Sequence, residues 1–295
     1  MNAKSFFALL SLVPSLCFAG LDSAKIELAT GLKGTLNEAE GVFKVTSPRS
    51  DLKVQVDGWL MPPFMGLTSW AAFLPGTKAE AMVMGDLVLF QDEVNPVMSA
   101  ALEAGLNVTA LHNHFFYDEP KVFFMHIGGE GSVETLGTGV KLALAKVKEI
   151  RSSNATPSKM FGEGFSPGAN SITAAPLEEV FGGKAATKDG MAKFVFGRVS
   201  KMPCGCEVGK EMGVNTWAAF AGTDDNAVVD GDFCVLETEL QTVLKTLRKE
   251  DVNVVAIHHH MAMEEPRYLF VHYWGRGKAV ELAKSLKATL TTQSK

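Results

Sequence analysis

Residues 110–131, ALHNHFFYDEPKVFFMHIGGEG, and residues 256–277, AIHHHMAMEEPRYLFVHYWGRG, are two copies of one pattern. A shift of 146 positions places His112 on His258, His114 on His260, Glu119 on Glu265, Pro120 on Pro266 and His126 on His272. The chain's seven histidines all fall inside these windows. A chain of 295 residues with such a long period is a duplicated domain, since solenoid repeats are far shorter.

The repeat extends beyond the histidines. Thr68-Ser69-Trp70-Ala71-Ala72-Phe73 matches Asn215-Thr216-Trp217-Ala218-Ala219-Phe220, Gly85-Asp86 matches Gly231-Asp232, and Glu93 matches Glu239. A looser echo links residues 26–45 with a stretch starting near Leu177. The expected layout is a first unit over residues 20–150, a linker over 151–176 rich in Ser, Gly, Pro, Ala and Asn, and a second unit over 177–295.

Each copy carries the same coarse elements. The WAAF segment and the following AMVMGDLVLF or AVVDGDFCVL read as two strands. Val94, Val97, Met98, Ala101 and Leu102, and likewise Leu240, Val243, Leu244 and Leu247, recur at helical spacing. Thr238 with Gln241 forms a candidate capping box, and Pro96 fits a first helical turn. NVTALHNH and NVVAIHHH read as strands with KVFFMHI and RYLFVHY returning, and a last helix closes each unit. The order strand, strand, helix, strand, strand, helix implies an α+β fold of two homologous tandem units, each an antiparallel sheet with packing helices.

The opening segment reads as a targeting signal. Lys4 precedes an apolar run from Phe6 to Phe18, and Ala19 offers a cleavage point, so residues 1–19 are expected to be a signal peptide. Cys17 lacks the small residue that a lipid-attachment box places before its cysteine. The expected protein is exported, periplasmic or extracellular, with no integral membrane segment in the mature chain. A net charge of −5 argues against nucleic acid as a partner. In an oxidising compartment, two of Cys204, Cys206 and Cys234 are expected to form a structural disulfide, with a metal-binding Cys-Gly-Cys as the alternative.

Strand alternation gives the histidines a geometry. His112 and His114 are two apart and project from one face, and a hairpin centred near Glu119 would set His126 opposite His112. His258, His260 and His272 with Glu265 repeat the arrangement. Three imidazoles and a carboxylate are ligand chemistry for a divalent transition metal such as Zn, Mn, Fe or Cu. The candidate metal ligands are therefore His112, His114, Glu119 and His126, and His258, His260, Glu265 and His272. A metal-free ligand pocket and a purely structural polar cluster are the alternatives.

Trp70 and Trp217 are expected in the core, with an aromatic wall beside the histidines as the alternative. Asp86 and Asp232, each after a glycine, are expected to shape turns, or else to orient a ligating histidine. No separate nucleophile or base stands out. His259, where the first copy has Asn113, slightly favours the second unit as the working site.

The segments TSWAAF, GDLVLF with DEVNPVM, VTALHNH with DEPKVFFMH, and their second-copy counterparts through VVAIHHHM and EEPRYLFVHYWG resemble the LppY/LpqO family. That bacterial family is built on a duplicated domain of unknown function, DUF1259. The resemblance implies the tandem architecture and an exported protein, and carries no reaction. The functional expectation is a metal-dependent protein, possible as an enzyme on a cell-envelope small molecule; the alternative is a metal-free module for cell-wall glycan or another envelope ligand.

Overall fold

The computed structural model describes residues 20–161 and 169–294. The expected signal peptide at residues 1–19 lies outside them. The first unit runs through α1 (Ser23–Thr30), β1 (Gly34–Asn37), β2 (Val42–Pro48), β3 (Val54–Val56) and β4 (Trp59–Met61). It continues with β5 (Thr68–Pro75), β6 (Ala81–Phe90), α2 (Val94–Glu103), β7 (Asn107–His112), β8 (Asp118–Glu119), β9 (Val122–Gly131) and α3 (Val133–Ser153). The second unit follows with α4 (Ala174–Phe181), β10 (Ala186–Lys188), β11 (Met191–Gly197), β12 (Ser200–Lys201), β13 (Glu207–Val208) and β14 (Asn215–Gly222). It closes with β15 (Ala227–Leu236), α5 (Leu240–Lys249), β16 (Asn253–His258), β17 (Tyr268–Gly277) and α6 (Ala279–Leu290).

The α+β class with antiparallel pairing holds, but the two units do not keep separate sheets. They join in one 12-stranded sheet of order β1-β2-β5-β6-β9-β7-β16-β17-β15-β14-β11-β10. The join is the antiparallel pair β7–β16, where Leu111 lies opposite its own repeat equivalent, Ile257. A local two-fold axis therefore passes between the copies. Burying both unit edges in one seam removes two open strand edges, which would otherwise template aggregation.

One face of the sheet packs against the helices. Val83, Leu87, Val229, Phe233, Val271 and Tyr273 from the strands meet Val97, Met98, Leu136, Val243, Leu244 and Leu286 from the helices in one buried core. Each fully buried aliphatic side chain there contributes about 1.5–3 kcal/mol. The opposite face is partly roofed. Strands β4-β3-β8 cover Val88, Phe90, Val122 and Phe124 in the first unit, and the β12–β13 region covers Cys234, Tyr268 and Phe270 in the second. The rest of that face is open, and the histidines emerge on it.

Local chemistry explains the element ends. Asp22 accepts from the backbone N–H of Ala24 and Lys25 to start α1, and Ser132 accepts from Thr135 to start α3. The capping box expected at Thr238 and Gln241 is absent: Glu239 is the N-cap residue of α5 and makes no side-chain cap. Gln241 is used elsewhere. Its amide bonds both backbone groups of Val108, at 2.9 Å and 2.8 Å, and its repeat equivalent Asn95 bonds both backbone groups of Val254, at 2.8 Å and 3.1 Å. Each unit thus satisfies a strand of the other beside the seam.

Those two valines stand at β-bulges. The register of β7 against β9 shifts between Val108 and Ala110, and that of β16 against β17 between Val254 and Ala256. The extra residue lets Val108 and Leu111, three apart, both face the core, as do Val254 and Ile257. It also resets the phase of the strand so that His112 and His258 face outward.

A candidate metal centre on the open face

The structure corrects the expected hairpin register. His126 lies opposite Ala110, and His112 opposite Phe124. In the second unit His272 lies opposite Ala256, and His258 opposite Phe270. The histidines of each hairpin are diagonal neighbours on one face, and their rings stack: centroids of His112 and His126 are 5.2 Å apart, those of His258 and His272 5.0 Å apart. His114 and His260 lie just beyond the strand ends, and each lies flat on a phenylalanine, Phe124 at 3.4 Å and Phe270 at 3.5 Å between centroids. The phenylalanine ring holds the third imidazole in place.

The second unit closes more tightly. One ligand nitrogen each from His258, His260 and His272 can be chosen so that all lie within 4.8 Å of one another; among the described residues no other group of three does so. In the first unit the Nε2 atoms of His112 and His114 approach to 3.2 Å, but the three do not converge to that degree.

The carboxylate nearest these rings is an aspartate. Asp232 faces His272 across β15–β17 and is 1% exposed; its Oδ2 lies 3.4 Å from Nε2 of His260 and 3.8 Å from Nε2 of His272. Neither carboxylate oxygen has a partner in good hydrogen-bond geometry, though the Val271 N–H favours the ionised form. Asp86 faces His126 in the same way, 8% exposed, with Oδ1 unsatisfied. Glu119 and Glu265 stand apart from the rings. Glu119 is exposed beside Lys159 at 3.7 Å, while Glu265 is exposed in a separate hollow with Glu237 and Arg267 and bonds the backbone of Lys201. The buried acid of that turn, Glu264, accepts from the N–H of Tyr268.

The Gly-Asp pairs shape no turn. They lie inside β6 and β15, and the glycine is required by what crosses behind it. A Cβ on Gly231 would sit 2.1 Å from the Tyr273 hydroxyl and 2.3 Å from the Trp217 carbonyl, and one on Gly85 would sit 2.6 Å from the Trp70 carbonyl. Trp70 and Trp217 are half-buried on the open face, opposite Asp86 and Asp232, and each carries a lysine ammonium over its ring at 4.3 Å. They are not core residues; Phe73 and Phe220, fully buried, are. The alternation of AVVDGDFCVL carried the signal for Asp232, since position 232 shares a strand face with 230 and 234.

The protonation pattern favours a cation. His272 Nδ1 lies 3.2 Å from the Gly231 carbonyl oxygen, which only accepts, so Nδ1 holds a proton and Nε2, turned toward Asp232, is the nitrogen free to coordinate. Burial, then the neighbouring imidazoles His272 and His260, pushes the His258 pKa down, and burial likewise lowers those of His112 and His114. Neutral imidazoles are the ligand form. Burial raises the Asp232 pKa against the pull of His272 and His260. Ligand atoms at about 2.1 Å around a tetrahedral ion are about 3.4 Å apart, the separation already present between Asp232 and His260. The three imidazoles fit a borderline divalent ion, with Asp232 close to two of them but outside the group that converges within 4.8 Å.

Cys204, Cys206 and Cys234 are free thiols, contrary to the disulfide expected from an oxidising compartment. Cys234 is buried under the β12–β13 roof, and burial pushes its pKa up to about 12. Among the described residues no helix is long and apolar enough to cross a membrane.

These features define a duplicated α+β protein with a histidine cluster in each copy. The chain belongs to the family described as Domain of Unknown Function (DUF1259), whose family model matches residues 24–146 and 175–292. Comparison with curated proteins returns no match. Among solved structures, the crystal structure of a trimeric bacterial microcompartment shell protein, PduB, aligns at 11% identity over 86% of this chain and 89% of that chain. Its TM-score of 0.23 is too low to bear on fold or function.

Proposed function

We propose that the chain is an exported metalloprotein of the LppY/LpqO type that holds a divalent transition ion in its second unit. His258, His260 and His272 supply nitrogen ligands, and Asp232, in place of Glu265, supplies the carboxylate. One observation carries this reading: a carboxylate 1% exposed, with no partner in good hydrogen-bond geometry, faces the Nε2 atoms of two histidines. An unpaired buried carboxylate costs several kcal/mol, and a cation offsets that cost. His112, His114 and His126 with Asp86 form the looser counterpart.

Three imidazoles and the Asp232 carboxylate make four ligands, so an ion that takes five- or six-fold coordination would add a water or a ligand oxygen. It could polarise a bound carbonyl or lower the pKa of its water, which suits hydrolysis or oxidation of an envelope small molecule. The test is titration of chelator-stripped protein with Co²⁺, followed by visible absorption. The expected result is a saturable ligand-field band that is lost in His260→Ala. A spectrum identical to that of free aqueous Co²⁺ throughout the titration contradicts the reading.

A further inference from the structure

The two copies differ where the open face continues past the metal ligands. Asp230 lies directly opposite Trp274, two residues along from the Asp232–His272 pair on the same face. The equivalent pair in the first unit is Met84 opposite Gly128, so there the framework is kept while the acid and the indole are absent. Trp274 and Asp230 line a hollow of about 570 Å³ that also contains His272 and Val255. Phe161 also lines it, and its carbonyl accepts from Arg276. The hollow is of small-ligand size.

We infer that this hollow binds an uncharged ring bearing vicinal hydroxyls, with one or two hydroxyl oxygens on the ion and a ring face on Trp274. The inference rests on the metal reading above and names what that site takes. Two residues along a strand span about 6.7 Å, so one six-membered ring reaches from the ion to the indole. The half-buried indole offers an apolar plane for stacking, while the Asp230 carboxylate accepts a further hydroxyl. With the Asp232 charge offset by the ion, the Asp230 carboxylate and the Arg276 guanidinium leave the rest of the lining near neutral, which suits an uncharged ring. A saccharide and a catechol share this chemistry, and the two are separable by experiment.

The experiment is calorimetric titration of metal-loaded full chain with methyl α-glucoside, myo-inositol and catechol, with metal content measured on every sample. The variants are Trp274→Gly and Asp230→Met, which install the first unit's residues, and Trp274→Phe, which keeps a ring. The expected result is binding of at least one probe, weakened about tenfold in Trp274→Gly, largely restored in Trp274→Phe, and weakened in Asp230→Met, all at unchanged metal content. Binding of the polyols alone assigns a saccharide, and binding of catechol alone a phenol. The pocket is overturned if no probe binds metal-loaded protein, or if Trp274→Gly binds as tightly as the parent. Failure to load metal instead overturns the metal reading, and Trp274-dependent binding by that metal-free protein would leave the pocket standing.

Discussion

Asp232 Oδ2 lies 3.4 Å from His260 Nε2, and neither oxygen of that carboxylate has a partner in good hydrogen-bond geometry. This gives opposite signs with and without an ion. Asp232→Asn removes a buried charge and should stabilise metal-free protein by about 1–3 kcal/mol, while lowering metal affinity about 10–100-fold. Thermal melts of stripped and loaded protein check both halves. A variant less stable in the stripped form would show that the carboxylate is satisfied without an ion.

Asn95 and Gln241 each bond both backbone groups of a valine in the other unit. Asn95→Ala should cost about 2–4 kcal/mol, because it strands an N–H and a carbonyl of Val254 beside the bulge. It should also weaken metal binding, although Asn95 belongs to the first unit and the tighter histidine set to the second. Urea denaturation and metal titration measure the two effects. Loss of stability alone would mean that the bulge keeps its shape without the amide.

Gly231 is tied to Tyr273 and Trp217 by the crossing of their oxygens behind it. Gly231→Ala should destabilise by more than about 2 kcal/mol, with only partial recovery in Gly231→Ala/Tyr273→Phe because the Trp217 carbonyl still blocks the new methyl. Full recovery in the double variant would place the whole conflict at the tyrosine hydroxyl. Thermal denaturation reads the series.

Glu239 ties the β11–β12 connection to the segment after α6 in the second unit. Burial opposes its ionisation, but the Arg198 guanidinium, Ser294 and the Leu236 N–H outweigh it and hold the pKa at about 2. An unfolded glutamate titrates at about 4.3, so the native form is favoured by the ionised state above that pH. About 3 kcal/mol of stability should then be lost as pH falls from about 4.3 toward 2, and Glu239→Gln should flatten that part of the profile. A variant with the parent's acid profile would remove Glu239 from the account.

The three described thiols should separate by reactivity. Cys206 pulls the exposed Cys204 thiol down, Cys206 itself is raised, and Cys234 is buried at about 12. Iodoacetamide under native, reducing-agent-free conditions should label Cys204 before Cys206, and Cys234 only after unfolding. Mass mapping of the labelled peptides decides it, and early labelling of Cys234 would contradict its burial under the β12–β13 roof.

Much of this was legible in the residues. The 146-residue repeat gave the tandem units and the histidine sets, because identical spacing in two copies leaves little room for chance. Asp232 was harder to place. A glycine before an aspartate is a common turn signal, and only the strand alternation around it argued otherwise. The bulges at 108–110 and 254–256 were hidden for a related reason: ideal period-two counting puts Val108 and Leu111 on opposite faces, and the partner amides that hold the extra residue lie far away in sequence. The joining of both units into one sheet depends on the seam pair Leu111 and Ile257, and two apolar strand residues do not name their partner.

The most direct measurement is elemental analysis by mass spectrometry of untagged, gently purified protein beside the His258→Ala/His260→Ala variant. About one equivalent of a transition metal is expected in the parent, with most of it lost in a folded variant. No metal in the parent, even after reconstitution, or equal metal in both proteins, would contradict the metal site.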